Sequence, residues 1–479
     1  MPSNSFDPIP LRSTTEGQVP EGHLPPGTRP SPGRRPSREA WLGKRKQAVE
    51  ARDDAAVEET SQSTSMPSGP DHPVIRHFRH RVERFTNDGR ATGRLTGIDA
   101  ARGLAMVGMV AIHTLPELNE KTGRPTMNWN LFSGHASALF AVLAGVSVSI
   151  MSQRGVEKGG VELAQSRQQL MLRGTILIGI GLVLSIAQYN IAVVLSAVGA
   201  LFLVLPLVAR WSNRALWALL VGLLALGPFV IVASDTFNTY VDIISGSYPL
   251  TAWFTYGVAG MLVHRYLIHS RMLQWISLVA GVVLAVIGVN ARSWISDQLP
   301  APEDPKMYDQ LTTDPTPAAG VAGGGPGGAM NSNPDIQSTW WYTYLGPEPH
   351  MGGLIDIATS ITVSVAVIAL CLLITALPLG RTILYPLRAM GSMSLTVYVA
   401  HVLTAAMILT NDNNNPAWSS SEQPATHPLA LGVTIVVAIV CAMIWKQFFR
   451  RGPLEWVMHV LTVKGARVDM EGVERASDE

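Results

Sequence analysis

Apolar residues recur along the chain in long runs, and ten of these runs are long enough to form helices that cross a bilayer. A spanning helix needs about 20 mainly apolar residues, with a range of about 17 to 25. A backbone in lipid must satisfy its own hydrogen bonds, so such runs predict helices. The pattern therefore predicts an all-α, polytopic membrane helix bundle with about ten transmembrane helices. The runs are 97–115, 133–152, 170–187, 191–209, 215–233, 251–267, 273–290, 354–377, 389–410 and 428–447.

The connections between these runs alternate between segments that are rich and segments that are poor in basic residues. Cytoplasmic connections of membrane proteins carry an excess of Lys and Arg. Since basic segments both precede the first run and follow the last, both termini are predicted to be cytoplasmic. The basic segments are Arg76 to Arg94, Arg154 to Arg173, Arg210 with Arg214, His264 to Arg271, Arg381 with Arg388, and Lys446 to Arg451.

Composition divides the chain of 479 residues into a membrane part and polar ends. Residues 1–93 hold no long apolar run, so they cannot bury enough apolar surface to fold, and a disordered cytoplasmic leader is expected. With no cleavable signal, the first run near Gly97 is expected to act as an uncleaved anchor of a multi-pass protein of the cell membrane. The bundle is assigned to 94–450, with a flexible external loop at 291–353 and a cytoplasmic tail at 451–479.

The first run carries charge although it is otherwise apolar. Asp99, Arg102, Met106 and His113 fall on one narrow face of a helix. Ionisable residues within spans normally face a bundle interior or a watery cavity, and they are candidates for function. Asp99 and Arg102 stand three residues apart and could simply pair with each other, or Arg102 could face a cytoplasmic anion.

Histidines cluster in the leaflet that the predicted topology places outside. His113 ends the first helix, His350 precedes the eighth, Asp356 lies in the first turns of the eighth, and His401 lies past the middle of the ninth. A neutral imidazole can take a proton from a hydroxyl or amine and return it to a leaving group. The alternative is that each histidine only forms a hydrogen bond to a neighbouring helix. No metal site is predicted, because these histidines lack i, i+4 and cysteine partners.

Five sequence motifs in this order resemble the YeiB-like bacterial membrane proteins. That group is similar to the catalytic membrane domain of heparan-α-glucosaminide N-acetyltransferase. The resemblance covers roughly 94–460 and leaves the leader out. The motifs are RLTGIDAARGLAMVGM at 94–109, LFAVLAG at 139–145, PHMGG at 349–353, SLTVYVAH at 394–401 and GPLEW at 452–456.

The resemblance implies a transmembrane acyltransferase that takes an acyl group from cytoplasmic acyl-CoA and delivers it to an external acceptor. In the human-type enzyme the histidine of the first outer loop precedes a Trp-Asn pair. Here the pair is Trp129-Asn130, and Met127 stands at about the comparable position. His113 and His135 flank that loop instead, so the mechanism of the family does not transfer to a single residue.

The leading interpretation is a membrane acyltransferase, dependent on acetyl-CoA or another acyl-CoA as co-substrate, that acylates a hydroxyl or amine of an envelope glycan or glycolipid. His113 or His401 would act as the general base, and His350 or Asp356 would orient the base or the acceptor. Arg102, Arg94 and Arg388 would attract the coenzyme phosphates. Besides the lipid bilayer, a second copy of the chain is a candidate partner, and nucleic acid is not expected.

The alternative interpretation is a proton-coupled transporter or exporter of a small metabolite or lipid. Asp99 and the histidines would then form a proton relay. The two interpretations share the same polar faces, so the sequence alone leaves both open. Coenzyme A should stabilise an enzyme of this kind, whereas a transporter should show flux that depends on a pH gradient.

Overall fold

A computed structural model of the chain describes residues 95–115, 126–187, 192–237, 248–298, 336–410 and 428–465. Regular structure in these ranges is entirely helical, which confirms the all-α prediction. The helices are α1 Thr96–Thr114, α2 Met127–Phe132, α3 His135–Lys158, α4 Gly160–Ala187, α5 Val194–Val208, α6 Asn213–Thr236, α7 Leu250–Tyr266, α8 Arg271–Gln298, α9 Ile336–Leu345, α10 Leu354–Ala376, α11 Pro378–Ile383, α12 Tyr385–Gly391, α13 Ser394–Thr410, α14 Pro428–Phe448 and α15 Pro453–Gly465.

Among the described residues, each predicted apolar run largely coincides with one or two helices, although not every helix is long enough to cross a bilayer by itself. In the described part of the chain, five helical segments are long and apolar enough, and a bent pair raises the number to six. The bent pair is Gly432–Phe448 with Pro453–Gly465, which meet at 54°. The helices α5 and α13 are apolar but shorter. The count of ten spans and the cytoplasmic position of the termini stay predictions.

Helix α1 lies inside the bundle, where it contacts α3, α10, α12, α13 and α14. Small residues allow the closest of these approaches. A side chain at Gly103 would overlap the backbone of Leu387 in α12, and one at Gly391 would overlap the backbone of Asp99. The segment that carries the charged face is therefore held on several sides, and its polar residues have fixed neighbours.

Helices α3 and α7 form another close crossing. The α-carbon of Gly145 in α3 faces the backbone carbonyl of Gly257 in α7. The α-carbon of Gly260 in α7 likewise faces the backbone carbonyl of Val142 in α3. Without side chains at these positions the two backbones can approach closely, as small residues allow in membrane helices. The crossing fixes the direction of α3, which begins at His135.

The ninth predicted run is divided into two helices. Helix α12 ends at Gly391 and α13 begins at Ser394. The carboxylate of Glu455, from α15, accepts hydrogen bonds from the Leu395 amide at 2.7 Å, the Thr396 amide at 3.2 Å and the Thr396 hydroxyl at 2.6 Å. A carboxylate at this position satisfies the unpaired amides of a helix N-terminus. This contact places α13 against α15.

Several predicted features lie outside the described residues. They are the leader 1–93, Arg94, the middle of the external loop and the end of the tail. The described part of the loop contains the last turns of α8 and all of α9, and the described part of the tail contains α15. Helix α15 packs against α4 and α13.

Candidate active site

His113 and His401 meet at one end of the bundle. Their rings stack with centroids 5.7 Å apart and planes inclined by 27°. His113 is exposed at the last turn of α1, whereas His401 on α13 is buried with 5% of its surface accessible. In the described part of the chain, Nε2 of His401 has no hydrogen-bond partner. The pair thus combines an accessible imidazole with a buried nitrogen that can still bind a proton or a ligand.

Tyr398 fixes the face of α13 that carries His401. Its hydroxyl oxygen accepts a hydrogen bond of 3.0 Å from the Val194 amide at the start of α5. Its ring packs against Phe140 of α3, with centroids 6.5 Å apart. Because Tyr398 precedes His401 by about one helical turn, these contacts limit rotation of α13 and hold the imidazole in place.

His350 lies in the turn between α9 and α10. It has a φ of 68°, and it is the one residue other than glycine with positive φ among those described. Such a conformation costs a residue other than glycine about 1 to 3 kcal/mol. Its Nε2 accepts a hydrogen bond of 3.2 Å from the Gly134 amide, and its ring meets the edge of Tyr248. The turn is therefore held in a strained geometry against the start of α3.

The protonation state of His350 follows from these contacts. Because Nε2 accepts the Gly134 hydrogen bond, the proton of the neutral ring is on Nδ1. Burial, and then the positive charge of Arg292, lower the pKa of His350 from 6.5 to about 4. His350 is thus neutral at pH 7. Its acceptor nitrogen is occupied, so it is better suited to positioning than to proton abstraction.

Asp356 anchors the same turn from α10. Its Oδ1 lies 2.6 Å from the Arg292 guanidinium of α8, and its Oδ2 accepts a hydrogen bond of 3.3 Å from the Gly352 amide. The backbone amide of His350 also bonds to this carboxylate. The Arg292–Asp356 ion pair is nearly inaccessible, with 11% and 3% of the two side chains exposed. The carboxylate therefore fixes the backbone that carries His350.

His135 extends the polar network on its α3 side. Its Nδ1 forms a hydrogen bond of 3.1 Å with the Ser360 hydroxyl of α10, while its Nε2 is buried without a partner in the described part. Tyr256 of α7 also bonds to Ser360. Histidine, serine and tyrosine from three helices thus meet beside Arg292, which lies within electrostatic range of His135.

All four predicted catalytic residues occupy this one end of the bundle. His113 stacks on His401 and lies within electrostatic range of His350, and the backbone of His350 is bonded to Asp356. The roles assigned to them stay predictions. A metal role has no geometric support within the described ranges, where no three His, Cys, Asp or Glu side chains form a possible ligand set.

Of the predicted coenzyme-binding residues, Arg102 lies on the first half of α1 and Arg388 on α12, which packs against α1, while Arg94 lies outside the described residues. Arg102 pairs with Asp99 at 3.2 Å and donates a hydrogen bond of 2.6 Å to the Ser147 hydroxyl. Pairing within the helix is thus observed, and 24% of the Arg102 side chain is still accessible. Arg388 is buried and donates to the Arg381 carbonyl at 3.1 Å.

Two family models match consecutive parts of the chain. Residues 94–293 match "Heparan-alpha-glucosaminide N-acetyltransferase, catalytic", and residues 318–465 match "Protein of unknown function (DUF418)". The predicted resemblance is confirmed. The first match contains His113, Arg102 and Arg292, and the second contains His350, Asp356 and His401, so residues of both matched parts build the site. Together with the apolar helices, the matches indicate a multi-pass membrane protein resembling a transferase.

A curated protein of Bacillus acidopullulyticus is also similar. It is described as "Uncharacterized 39.9 kDa protein in amylase 3'region", and it is 28% identical over 122 residues, which are 26% of this chain. The chain matches 31% of the length of that relative.

Two residues of the site, Arg292 and His135, have only weak signals in the sequence. Arg292 falls in the predicted external loop, but α8 continues to Gln298 and carries it into the bundle. His135 was named only as flanking the first loop. The available signal for Arg292 is its position two residues beyond the apolar run 273–290, because ionisable residues within spans usually pair with one another inside the bundle.

Proposed function

We propose that the protein is an integral membrane acyltransferase. It moves an acyl group, such as acetyl, from cytoplasmic acyl-CoA to a hydroxyl or amine of an envelope glycan or glycolipid. The match to the catalytic region of an N-acetyltransferase supports the reaction class. The donor, the acceptor and the cell membrane as location are part of the proposal.

The stacked pair of His113 and His401 is the observation that carries the proposal. Acyl transfer to a hydroxyl or amine needs a base that removes a proton as the new bond forms. His113 is accessible at the end of α1, and it contacts a second imidazole whose Nε2 is unpaired in the described part. We assign the base to His113, since an acceptor can reach it, and the positioning of that base to His401.

The proposed transfer step conserves atoms and protons. The acceptor oxygen or nitrogen attacks the thioester carbonyl carbon while its proton passes to a His113 nitrogen. The carbon–sulfur bond breaks, and the coenzyme sulfur takes the proton back from the imidazolium. The products are the acylated acceptor and free coenzyme A, and the enzyme returns to its starting protonation state.

His350 and Asp356 are assigned to positioning. The Asp356 carboxylate is engaged by Arg292 and by backbone amides, and His350 Nε2 is engaged by the Gly134 amide. Neither group is free to abstract a proton, but both hold the turn that faces the histidine pair. In this proposal Arg102, with Arg94 and Arg388, attracts the phosphates of the donor at the far end of α1, roughly 16 Å from His113 at about 1.5 Å per residue.

The test uses the full-length protein in lipid nanodiscs with labelled acetyl-CoA and an envelope extract. The wild type should label an acceptor, and His113→Ala should lower the rate by about 10²- to 10⁴-fold, the usual effect of losing a general base. His269→Ala is the matched control, because His269 is an exposed histidine beyond the end of α7. It should retain the wild-type rate.

Three results would redirect the proposal. Acceptor labelling that survives His113→Ala and His401→Ala alike would remove the pair from the reaction. Transport is the function if three results occur together: no acceptor is labelled, coenzyme A does not stabilise the protein against heat, and the reconstituted protein supports flux driven by a pH gradient. Label retained on His113 before acceptor is added would indicate a two-step route through acyl-histidine.

A further inference from the structure

Arg173 is a charged residue in the middle of α4, one of the apolar helices long enough to cross a membrane. Its guanidinium carbon lies 5.6 Å from the centre of the Phe202 ring of α5. The residue is half-buried, and its Nε is buried without a hydrogen-bond partner in the described part of the chain. The residue ends the predicted cytoplasmic basic segment Arg154 to Arg173, so it lies near the cytoplasmic end of the predicted third span. A partly buried arginine within an apolar helix normally pairs with an acid or lines a functional cavity.

Among the described residues, no acid forms an ion pair with Arg173. The charges that act on it are those of Arg102, Glu455 and Arg451, so two of its three charged neighbours are also positive. Clustered positive charge in a partly desolvated site is unfavourable unless an anion compensates it.

The one acid among these charged neighbours, Glu455, already has other partners. The Glu455 carboxylate accepts three hydrogen bonds from the first turn of α13, at 2.6 to 3.2 Å. The Arg173 guanidinium, with its five donors in a planar fork, is therefore a suitable ligand for an anion.

We propose that Arg173 is the main ligand of a phosphate group that binds between α4 and the start of α15, with the exposed Arg451 as its second cation. Arginine is suited to this role because its fork matches the geometry of phosphate oxygens. The phosphate could belong to a coenzyme or to a lipid headgroup. Its assignment to the coenzyme rests on the proposed acyl transfer, whereas the anion site does not.

The test measures binding of defined phosphate compounds to the full-length protein in detergent. The unfolding temperature of the protein is recorded during titration with each of three probes. The probes are coenzyme A, inorganic pyrophosphate, and micelles that contain phosphatidic acid in place of phosphatidylcholine. At least one probe should stabilise the wild type, and Arg173→Gln should weaken its binding about ten- to a hundredfold. Arg154→Gln, which removes an exposed positive charge from α3, should change binding less than about twofold.

The outcomes separate the anion site from the proposed function. Stabilisation by coenzyme A that Arg173→Gln weakens supports both. Stabilisation by phosphatidic acid alone, with the same loss in Arg173→Gln, supports the anion site and contradicts a coenzyme donor. If Arg173→Gln does not fold, Arg173→Lys replaces it and should weaken binding several-fold through loss of the planar fork. A folded variant at position 173 that binds every probe like the wild type overturns the site.

Discussion

The left-handed backbone of His350 places a titratable ring in an enclosed turn, and this gives a pH prediction. Its pKa is lowered to about 4 from 6.5 by burial and by Arg292. The unfolded chain therefore takes up a proton at a higher pH than the folded protein does. The stabilisation is complete above pH 6.5 and is lost as the pH falls towards 4.

His350→Asn tests this dependence, because asparagine tolerates positive φ and does not titrate in this range. The unfolding temperature of the wild type should fall more steeply than that of the variant between pH 6.5 and pH 4. The difference should correspond to about 2 to 3 kcal/mol. Parallel curves for the two proteins would show that position 350 does not titrate as described.

The Arg292–Asp356 pair gives a second prediction at the same scale. Arg292→Ala leaves the Asp356 carboxylate buried without its cation, so the free energy of unfolding should fall by about 3 kcal/mol. Lys158→Ala breaks another ion pair of 2.6 Å, but its side chains are 63% and 50% exposed against 11% and 3% for the buried pair. This control should change stability by less than about 1 kcal/mol.

The free energies of unfolding of Arg292→Ala and Lys158→Ala are measured by denaturant titration in detergent. Equal losses of stability would mean that burial does not determine the strength of the Arg292–Asp356 contact. A large loss in Arg292→Ala with a native-like activity would instead separate the stability of the turn from the reaction.

Single residues of the site were partly predictable from the sequence. A histidine or acid within an apolar run is visible by its composition, which is why His113, His401 and Asp356 were found. Their contacts were not predictable, since the stacking of His113 on His401 depends on how α1 and α13 cross. Arg292 was missed because the helical pattern does not show that α8 extends beyond its apolar stretch.

At the scale of helices, the crossing of α3 and α7 makes a prediction about glycine. A methyl group at Gly260 would overlap the Val142 carbonyl, whereas one at Gly222 of α6 would meet nothing within 4 Å. Gly260→Ala should therefore destabilise the protein by about 1 to 3 kcal/mol. Gly222→Ala should be neutral or slightly stabilising, because alanine favours helix.

The measurement is the unfolding temperature of each purified variant. Since α3 carries His135 and borders the Gly134 turn, Gly260→Ala is also expected to lower transfer activity. A stable Gly260→Ala protein would show that the two helices can separate without consequence.

Helix positions were well predicted because apolar length decides them. Breaks within the helical pattern were not, as Ser392 and Met393 between α12 and α13 illustrate. Both residues suit a helix, and the interruption coincides with the hydrogen bonds that the first amides of α13 donate to the Glu455 carboxylate. A contact between residues about 60 positions apart leaves no trace in local periodicity.

At the scale of the whole molecule, the site is assembled from segments far apart in sequence. Helices α1, α3 and α8 bring His113, His135 and Arg292, while the later part of the chain brings His350, Asp356 and His401. Each of the two matched parts supplies only part of this network. A change in either part should thus affect the same reaction.

The rate of labelled acetyl transfer by His113→Ala, His401→Ala and the double variant tests the central claim most directly. If the stacked pair works as one catalytic unit, each single variant should lose about 10²- to 10⁴-fold, and the double variant should lose no more than the worse single one. A wild-type rate in either single variant, or losses that multiply in the double variant, would contradict the account.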